Sequence, residues 1–184
     1  MLGQIVQRQF APVLAMLTEA IHTCPDDLFD SPAVGVREHI YHVLVGMDVW
    51  LHPDPGRYPF DQIADDSAAN LQRPAGEAIS KQFLLDYVAR IEGKIADRYG
   101  PATDLLAEQT IRGTSFTTLD LCLSQLRHPM YHLGAINRIL AAHGSPTVKW
   151  QTSDYTREPT PHERGPHRCS AKSSSDSLPP CWPC

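Results

Sequence analysis

Apolar residues recur three and four positions apart over four long stretches of this chain, which is the spacing of one buried face of an α-helix. The predicted helices cover residues 2–22, 36–51, 79–99 and 119–143. The third has the clearest end, because Gly100 and Pro101 follow it as a helix-terminating glycine and proline would. No convincing pair of strands is present, and IRGTSFTT forms a polar connection before the fourth helix. We therefore expect an all-α fold, a four-helix bundle.

The length and composition fit one folded domain followed by a tail. A chain of 184 residues with 42% hydrophobic residues can bury a sizeable core. After Trp150 the sequence becomes rich in Ser and Pro and has almost no aliphatic residues, so it cannot offset the entropy of ordering. We expect a bundle over residues 1–150 and a disordered tail over residues 151–184.

Charge and hydropathy exclude two classes of partner. The net charge is −5, the pI is near 5.9, and the Lys and Arg residues are scattered, so no basic stripe exists for a nucleic acid backbone. Three glutamines and an arginine interrupt the apolar pattern of residues 4–9, and no run is apolar enough to span a membrane. We expect a soluble, cytoplasmic protein that binds neither nucleic acid nor membrane.

The cysteines do not indicate a disulfide framework. The chain has five, an odd number, and only Cys24 and Cys122 lie in the predicted folded part, far apart in sequence. Cys122 falls within the apolar run LDLCLSQL, so we expect a small buried hydrophobe rather than a nucleophile.

The tail carries a CxxC pair, Cys181 and Cys184, with His167 and Cys169 upstream. A small zinc knuckle is one interpretation. A redox CxxC needs a strand and a helix around it to lower the thiol pKa, and a Ser- and Pro-rich segment supplies neither. We assign the pair no metal or redox function.

Histidines at helical spacing indicate a metal site. His128 and His132 are four residues apart, so they project from one helix face and can bind one ion together. We choose His42, on the second predicted helix, as the third ligand. Neutral imidazoles suit Zn²⁺, Ni²⁺ or Fe²⁺, and three of them leave coordination positions for water or a substrate sulfur. The sequence therefore predicts a three-histidine site of catalytic form.

The other polar residues near these ligands have simpler interpretations. We expect His39 to lie on the solvent side of its helix and Glu38 to be a solvated carboxylate, although Glu38 is also placed to orient His42 or approach the metal. The remaining candidates near helix ends are assigned capping or surface roles. These are His22, His52 and His143.

Two residues of the fourth predicted helix bear on the ligand pair. Gln125 shares a face with His128 and His132, so it is a candidate to hydrogen-bond a ligand imidazole or a metal-bound water. Pro129 cannot donate to the carbonyl of Gln125, and its ring crowds that carbonyl. We expect a kink or a restart of the helix at Pro129.

Two segments, REHIYHVLVGMDVWL and LRHPMYHLGAINRILAAHG, resemble the metal-site segments of DinB-like proteins. The most specific part is the RHxxYHLGxIN pattern of residues 127–137, together with a histidine eight residues before Trp50. The resemblance covers most of residues 1–150. It implies a four-helix bundle and a divalent metal ion, zinc or nickel, bound by His42, His128 and His132.

The same resemblance implies a metal-dependent enzyme. Characterised relatives include transferases and an isomerase that use a low-molecular-weight thiol such as bacillithiol, mycothiol or glutathione, so an S-transferase acting on small electrophiles is expected. The alternative is a non-catalytic bundle that binds a small ligand or partner, with histidines that hold metal for stability only or not at all. Pairing into a homodimer through an apolar helix face also stays open, and no catalytic residue is assigned.

Overall fold

The part of the chain that the structure describes is mainly helical, as the apolar spacing predicts. The computed structural model describes residues 2–111 and 113–152. The helices are α1 (Leu2–Thr23), α2 (Asp26–Phe29), α3 (Val36–Leu51), α4 (Asp66–Ala69), α5 (Lys81–Arg98) and α6 (Thr118–Ala142). Two short 3₁₀ turns, Pro55–Arg57 and Phe60–Gln62, lie between α3 and α4. None of the described helices is long and apolar enough to cross a membrane.

Local signals set the ends of the long helices. Ser80 is the N-cap of α5, because its Oγ accepts the N–H of Phe83 at 3.1 Å. Thr117 and Asp120 form a capping box at the start of α6, in which each side chain accepts the backbone N–H of the other. Gly144 follows the end of α6 with a φ of +69°, a conformation that glycine adopts without strain.

The structure contradicts two expectations about local structure, the absence of strands and a restart of the fourth helix at Pro129. Residues 108–117 form an antiparallel hairpin of β1 (Glu108–Ile111) and β2 (Thr114–Thr117), with Gly113 in its turn at a φ of +80°. The hairpin lies mostly at the surface, so its sequence lacks the apolar alternation of a half-buried strand. Pro129 neither ends nor restarts α6, which runs unbroken through it, and the alternative of a kink at Pro129 stays a prediction. Pro129 is itself buried, and packing of this face holds the helix together despite the missing N–H.

The four long helices share one core. Helices α1 and α3 each pack against both α5 and α6. The large side chains at the centre are almost fully buried, and the ring of Phe10 stacks on that of Tyr99 at 5.8 Å. Cys122 is fully buried and free, and burial raises the pKa of its thiol to about 11, which confirms its assignment as a small hydrophobe.

The predicted disordered tail and its CxxC pair lie outside the described residues, apart from Gln151 and Thr152.

Side chains of α1 and α6 hydrogen-bond the segment that follows α6. Asn137 donates its Nδ2–H to the carbonyl of Val148 at 3.0 Å and accepts the N–H of Val148 at 2.8 Å. Glu19 of α1 accepts hydrogen bonds from the N–H of Lys149 and from the side chain of Gln151. These contacts hold Val148 in the core, where it is 6% exposed. The asparagine of the 127–137 pattern therefore has a structural role.

Replacing Asn137 by Ala should remove both hydrogen bonds and leave the amide and carbonyl of Val148 unpaired. We expect the free energy of unfolding to fall by about 2 kcal/mol. Urea denaturation followed by circular dichroism measures it, with Asn70→Ala as the control because the Asn70 side chain bonds only within its own exposed turn. An unchanged stability of Asn137→Ala would contradict this role.

Candidate metal centre

The packing of α3 against α6 brings the three predicted ligands together. One ring nitrogen from each of His42, His128 and His132 lies within 4.8 Å of the others. His42 and His128 are half-buried, and His132 is 6% exposed. The described residues therefore contain a three-nitrogen cluster at the predicted position, and metal binding by it stays a prediction.

The carbonyl of Ala69 fixes the orientation of His42. It lies 2.6 Å from Nδ1 of His42, and because a carbonyl only accepts, Nδ1 carries the proton and donates it. In the neutral ring, Nε2 then has a free lone pair, and it lies 3.0 Å from Nε2 of His128. An outer acceptor on one ring nitrogen is the usual device for aiming the other nitrogen at a metal.

Gly46 makes room for His128. It lies one turn beyond His42 on α3, and a Cβ added there would lie 2.9 Å from Cε1 and 3.3 Å from Nδ1 of His128. Only a residue without a side chain lets this imidazole lie against α3. The sequence does not indicate this role, because a glycine inside a helix is recognisable only as a weak helix former. The sequence offers one indication of a role for Gly46 at the site, namely its position four residues after the predicted ligand His42.

His39 contacts His132, and its predicted position on the solvent side is wrong. Nδ1 of His39 lies 2.9 Å from Nδ1 of His132, and His39 is half-buried. His39 precedes His42 by three residues, so both project from the face of α3 that α6 covers. The contact occupies Nδ1 of His132 and leaves its Nε2 for an ion.

Burial keeps the rings of His132, His128 and His39 neutral. The pKa of His132 is lowered to about 4, first by burial and then by His128, His42 and His39. Burial, followed by the nearby His42, lowers the pKa of His128 and of His39 as well. Rings with lowered pKa values are unprotonated at neutral pH, which is the form that binds a metal ion.

Two neighbouring side chains are buried and incompletely paired. Glu38 is 6% exposed, so its interpretation as a solvated carboxylate is wrong. Its Oε1 accepts the N–H of Ala75 at 2.9 Å, while its Oε2 has no partner. Gln125 is 4% exposed, and its Oε1 likewise accepts no hydrogen bond. Among the described residues Gln125 makes no hydrogen bond to an imidazole, so of its two predicted partners the metal-bound water stays a prediction.

The donor set fits a divalent ion. Two nitrogens that bind one ion at 2.0–2.1 Å lie about 3.0–3.4 Å apart, and Nε2 of His42 and of His128 are 3.0 Å apart. Lone pairs that face each other at this distance repel unless a proton or a cation lies between them. The unpaired Gln125 Oε1 lies one turn before His128 on α6 and is an acceptor suited to a water. Neutral nitrogen ligands of this kind suit zinc or nickel.

Comparisons with known proteins add no relative. The chain matches no model of a protein family, no curated protein and no solved structure. The resemblance to DinB-like proteins therefore depends on the two sequence segments and the clustered histidines.

Replacing Gly46 by Ala should push the His128 imidazole away from α3 and weaken metal binding. We expect the affinity for Zn²⁺ to fall about tenfold or more, because ligands must be held closely to position. Competition with a chromophoric chelator measures it. Gly134→Ala is the matched control, since a Cβ there meets nothing within 4 Å. Equal affinities of the two variants would show that Gly46 has no part in holding His128.

Proposed function

We propose that this chain forms, within residues 1–150, a four-helix bundle of the DinB-like kind that binds one divalent metal ion, zinc or nickel. The packing of α1 and α3 against both α5 and α6 supports the bundle. The convergence of His42, His128 and His132 within 4.8 Å carries the metal proposal. The hairpin and the short helices are additions to the four long helices.

The proposed activity on this site is transfer of a low-molecular-weight thiol to a small electrophile. A bound divalent ion supplies the positive charge that stabilises a thiolate near neutral pH. In the reaction the thiol sulfur bonds to an electrophilic carbon, the leaving group departs with the bonding electrons, and the thiol proton passes to water. This activity rests on the resemblance, while the metal site rests on geometry as well.

The protein residues position the site and leave room beside it. Ala69 orients His42, and His39 contacts Nδ1 of His132, so two of the three imidazoles have an outer partner. His42 and His128 keep part of their surface exposed, which leaves them accessible to a small molecule. A cavity of about 390 Å³ is lined by Glu38 and by His39, the residue that contacts His132, whereas none of the three clustered imidazoles is among its described lining residues. Its volume is that of a small-ligand pocket.

Removing one ligand should abolish metal binding. Protein purified without an affinity tag should hold close to one equivalent of zinc or nickel after loading, and His128→Ala and His132→Ala should each hold none. Inductively coupled plasma mass spectrometry gives the metal content. His22→Ala is the control, because His22 is exposed at the end of α1. Metal retained in His132→Ala, or no metal in the wild type, would exclude this site.

The same variants separate the enzyme from a non-catalytic metal protein. Loaded wild type should accelerate the reaction of glutathione, bacillithiol or mycothiol with chlorodinitrobenzene, in which chloride leaves as the carbon–sulfur bond forms. His128→Ala should react at the uncatalysed rate. Bound metal without acceleration for any of the three thiols would favour the non-catalytic alternative.

His39 should act as a positioning residue for His132. His39→Leu removes the partner of His132 Nδ1, and we expect a 10- to 100-fold loss of metal affinity, about the effect of deleting an outer partner. His39→Asn restores an acceptor and should recover part of the loss. The visible spectrum of the Co²⁺-loaded protein reports the ligand geometry. Identical affinity and spectrum in His39→Leu would show that the contact has no effect on the site.

A further inference from the structure

A second polar cluster lies between α3 and α5 and is centred on Asp48. His42 faces α6, whereas Asp48 contacts α5, so the two sites lie on different faces of α3. Asp48 is 3% exposed, and its Oδ2 accepts the hydroxyls of Tyr58 and Tyr87, each at 2.9 Å. Its Oδ1 accepts a hydrogen bond from Nζ of Lys94. This buried carboxylate is therefore fully partnered by the protein.

A cavity of about 340 Å³ opens onto the cluster. Its apolar wall includes Ile63, Phe83 and the ring of Tyr87. Such a volume with an aromatic wall and a few convergent polar groups is typical of a small-ligand site. The two tyrosine hydroxyls stay protonated at neutral pH, because burial and Asp48 raise the pKa of Tyr58 to about 12 and that of Tyr87 further.

Arg90 lines this cavity, and its N–H groups are available to a ligand. Its guanidinium carbon lies 3.9 Å from the centre of the Tyr87 ring, a stacked position that holds the group in place. Its Nη2 is 3.8 Å from Asp48 Oδ2, which is too long for a hydrogen bond. The described residues supply it with no hydrogen-bond acceptor, and its side chain is 54% exposed. The stacked ring thus orients a planar fork of five donors, and none of them hydrogen-bonds an acceptor among the described residues.

The charges around the cavity favour an anion. Arg90 and Lys94 carry two positive charges, His52 also lines the wall, and Asp48 is the single acidic group among the described lining residues. A neighbouring cavity shares His52 and Lys94 and adds Arg98, but it also contains three carboxylates. Those carboxylates are Asp97, Asp104 and Glu108. Of these two cavities, the one at Asp48 therefore has the excess of positive charge among its described lining residues.

We propose that the Asp48 cavity binds a small organic carboxylate with an apolar body. The carboxylate pairs with the guanidinium of Arg90, the geometry that Arg recognises in two hydrogen bonds, and with the donors of Lys94 that Asp48 leaves unused. The apolar body lies against Ile63 and Phe83. Asp48 and the two tyrosines hold the cations in place. This site does not depend on the histidine cluster or its metal.

Benzoate is a suitable probe, because it joins a carboxylate to one aromatic ring. Titration of the full chain by isothermal calorimetry should show saturable binding, with the affinity reduced about tenfold or more in Arg90→Gln. Arg98→Gln, a variant two turns along the same helix in the cavity that contains three carboxylates, should bind benzoate as the wild type does. Benzyl alcohol, which lacks the charge, should bind at least tenfold more weakly than benzoate.

Three results would overturn the proposal. They are no binding of benzoate to the wild type at about 10 mM, where millimolar affinity is detectable, equal affinity in Arg90→Gln, and an equal loss in Arg98→Gln. Arg90 is more than half exposed, so its variant should fold, and thermal unfolding checks this. Metal content is measured in the same samples, so that failure of the histidine site and failure of this site are told apart.

Discussion

The contact between α3 and α6 is the interaction on which the histidine site depends. It places His42 opposite His128 with 3.0 Å between their Nε2 atoms, and it places His39 opposite His132 with 2.9 Å between their Nδ1 atoms. The helices approach this closely at His128 because Gly46 presents no side chain there. Once the rings are enclosed, burial lowers the pKa values of His128 and His132, so both stay neutral. Geometry and electrostatics at the site thus follow from one packing contact.

Helix α3 carries polar groups on two faces, and the two faces differ in how far neighbouring residues satisfy those groups. Towards α6 its His42 donates through Nδ1 to the carbonyl of Ala69 and directs Nε2 at His128, where an ion can be bound. Towards α5 the burial of its Asp48 is compensated by Lys94, two tyrosine hydroxyls and the nearby Arg90. A buried charge with full partners has no capacity left for a cation. The first face therefore suits a metal, whereas the second leaves an excess of positive charge that suits an anion.

The sequence predicts what local spacing determines. The apolar periodicity places α1 and α3 within about one residue of their observed ends, and the four-residue spacing of His128 and His132 places both on one face. The roles of His39, Glu38 and Gly46 are not local, because each depends on what another element places against α3. The sequence predicts His39 on the solvent side of its helix, whereas in the structure α6 covers it. The unbroken course of α6 through Pro129 has the same origin, since packing overrides the local preference of proline.

The segment between α3 and α5 contributes to the histidine site, because it supplies the carbonyl that orients His42. It is attached to α3 by the hydroxyl of Tyr41, which accepts the N–H of Asp65 at 2.9 Å, and by Glu38, which accepts the N–H of Ala75. Between these two attachments lies Ala69, whose carbonyl accepts the proton of His42 Nδ1. The buried polar side chains of α3 thus hold a backbone acceptor against a ligand ring. Because the attachments flank Ala69 on both sides, they hold in place the carbonyl that selects the tautomer of His42, although neither attachment is itself among the three clustered imidazoles.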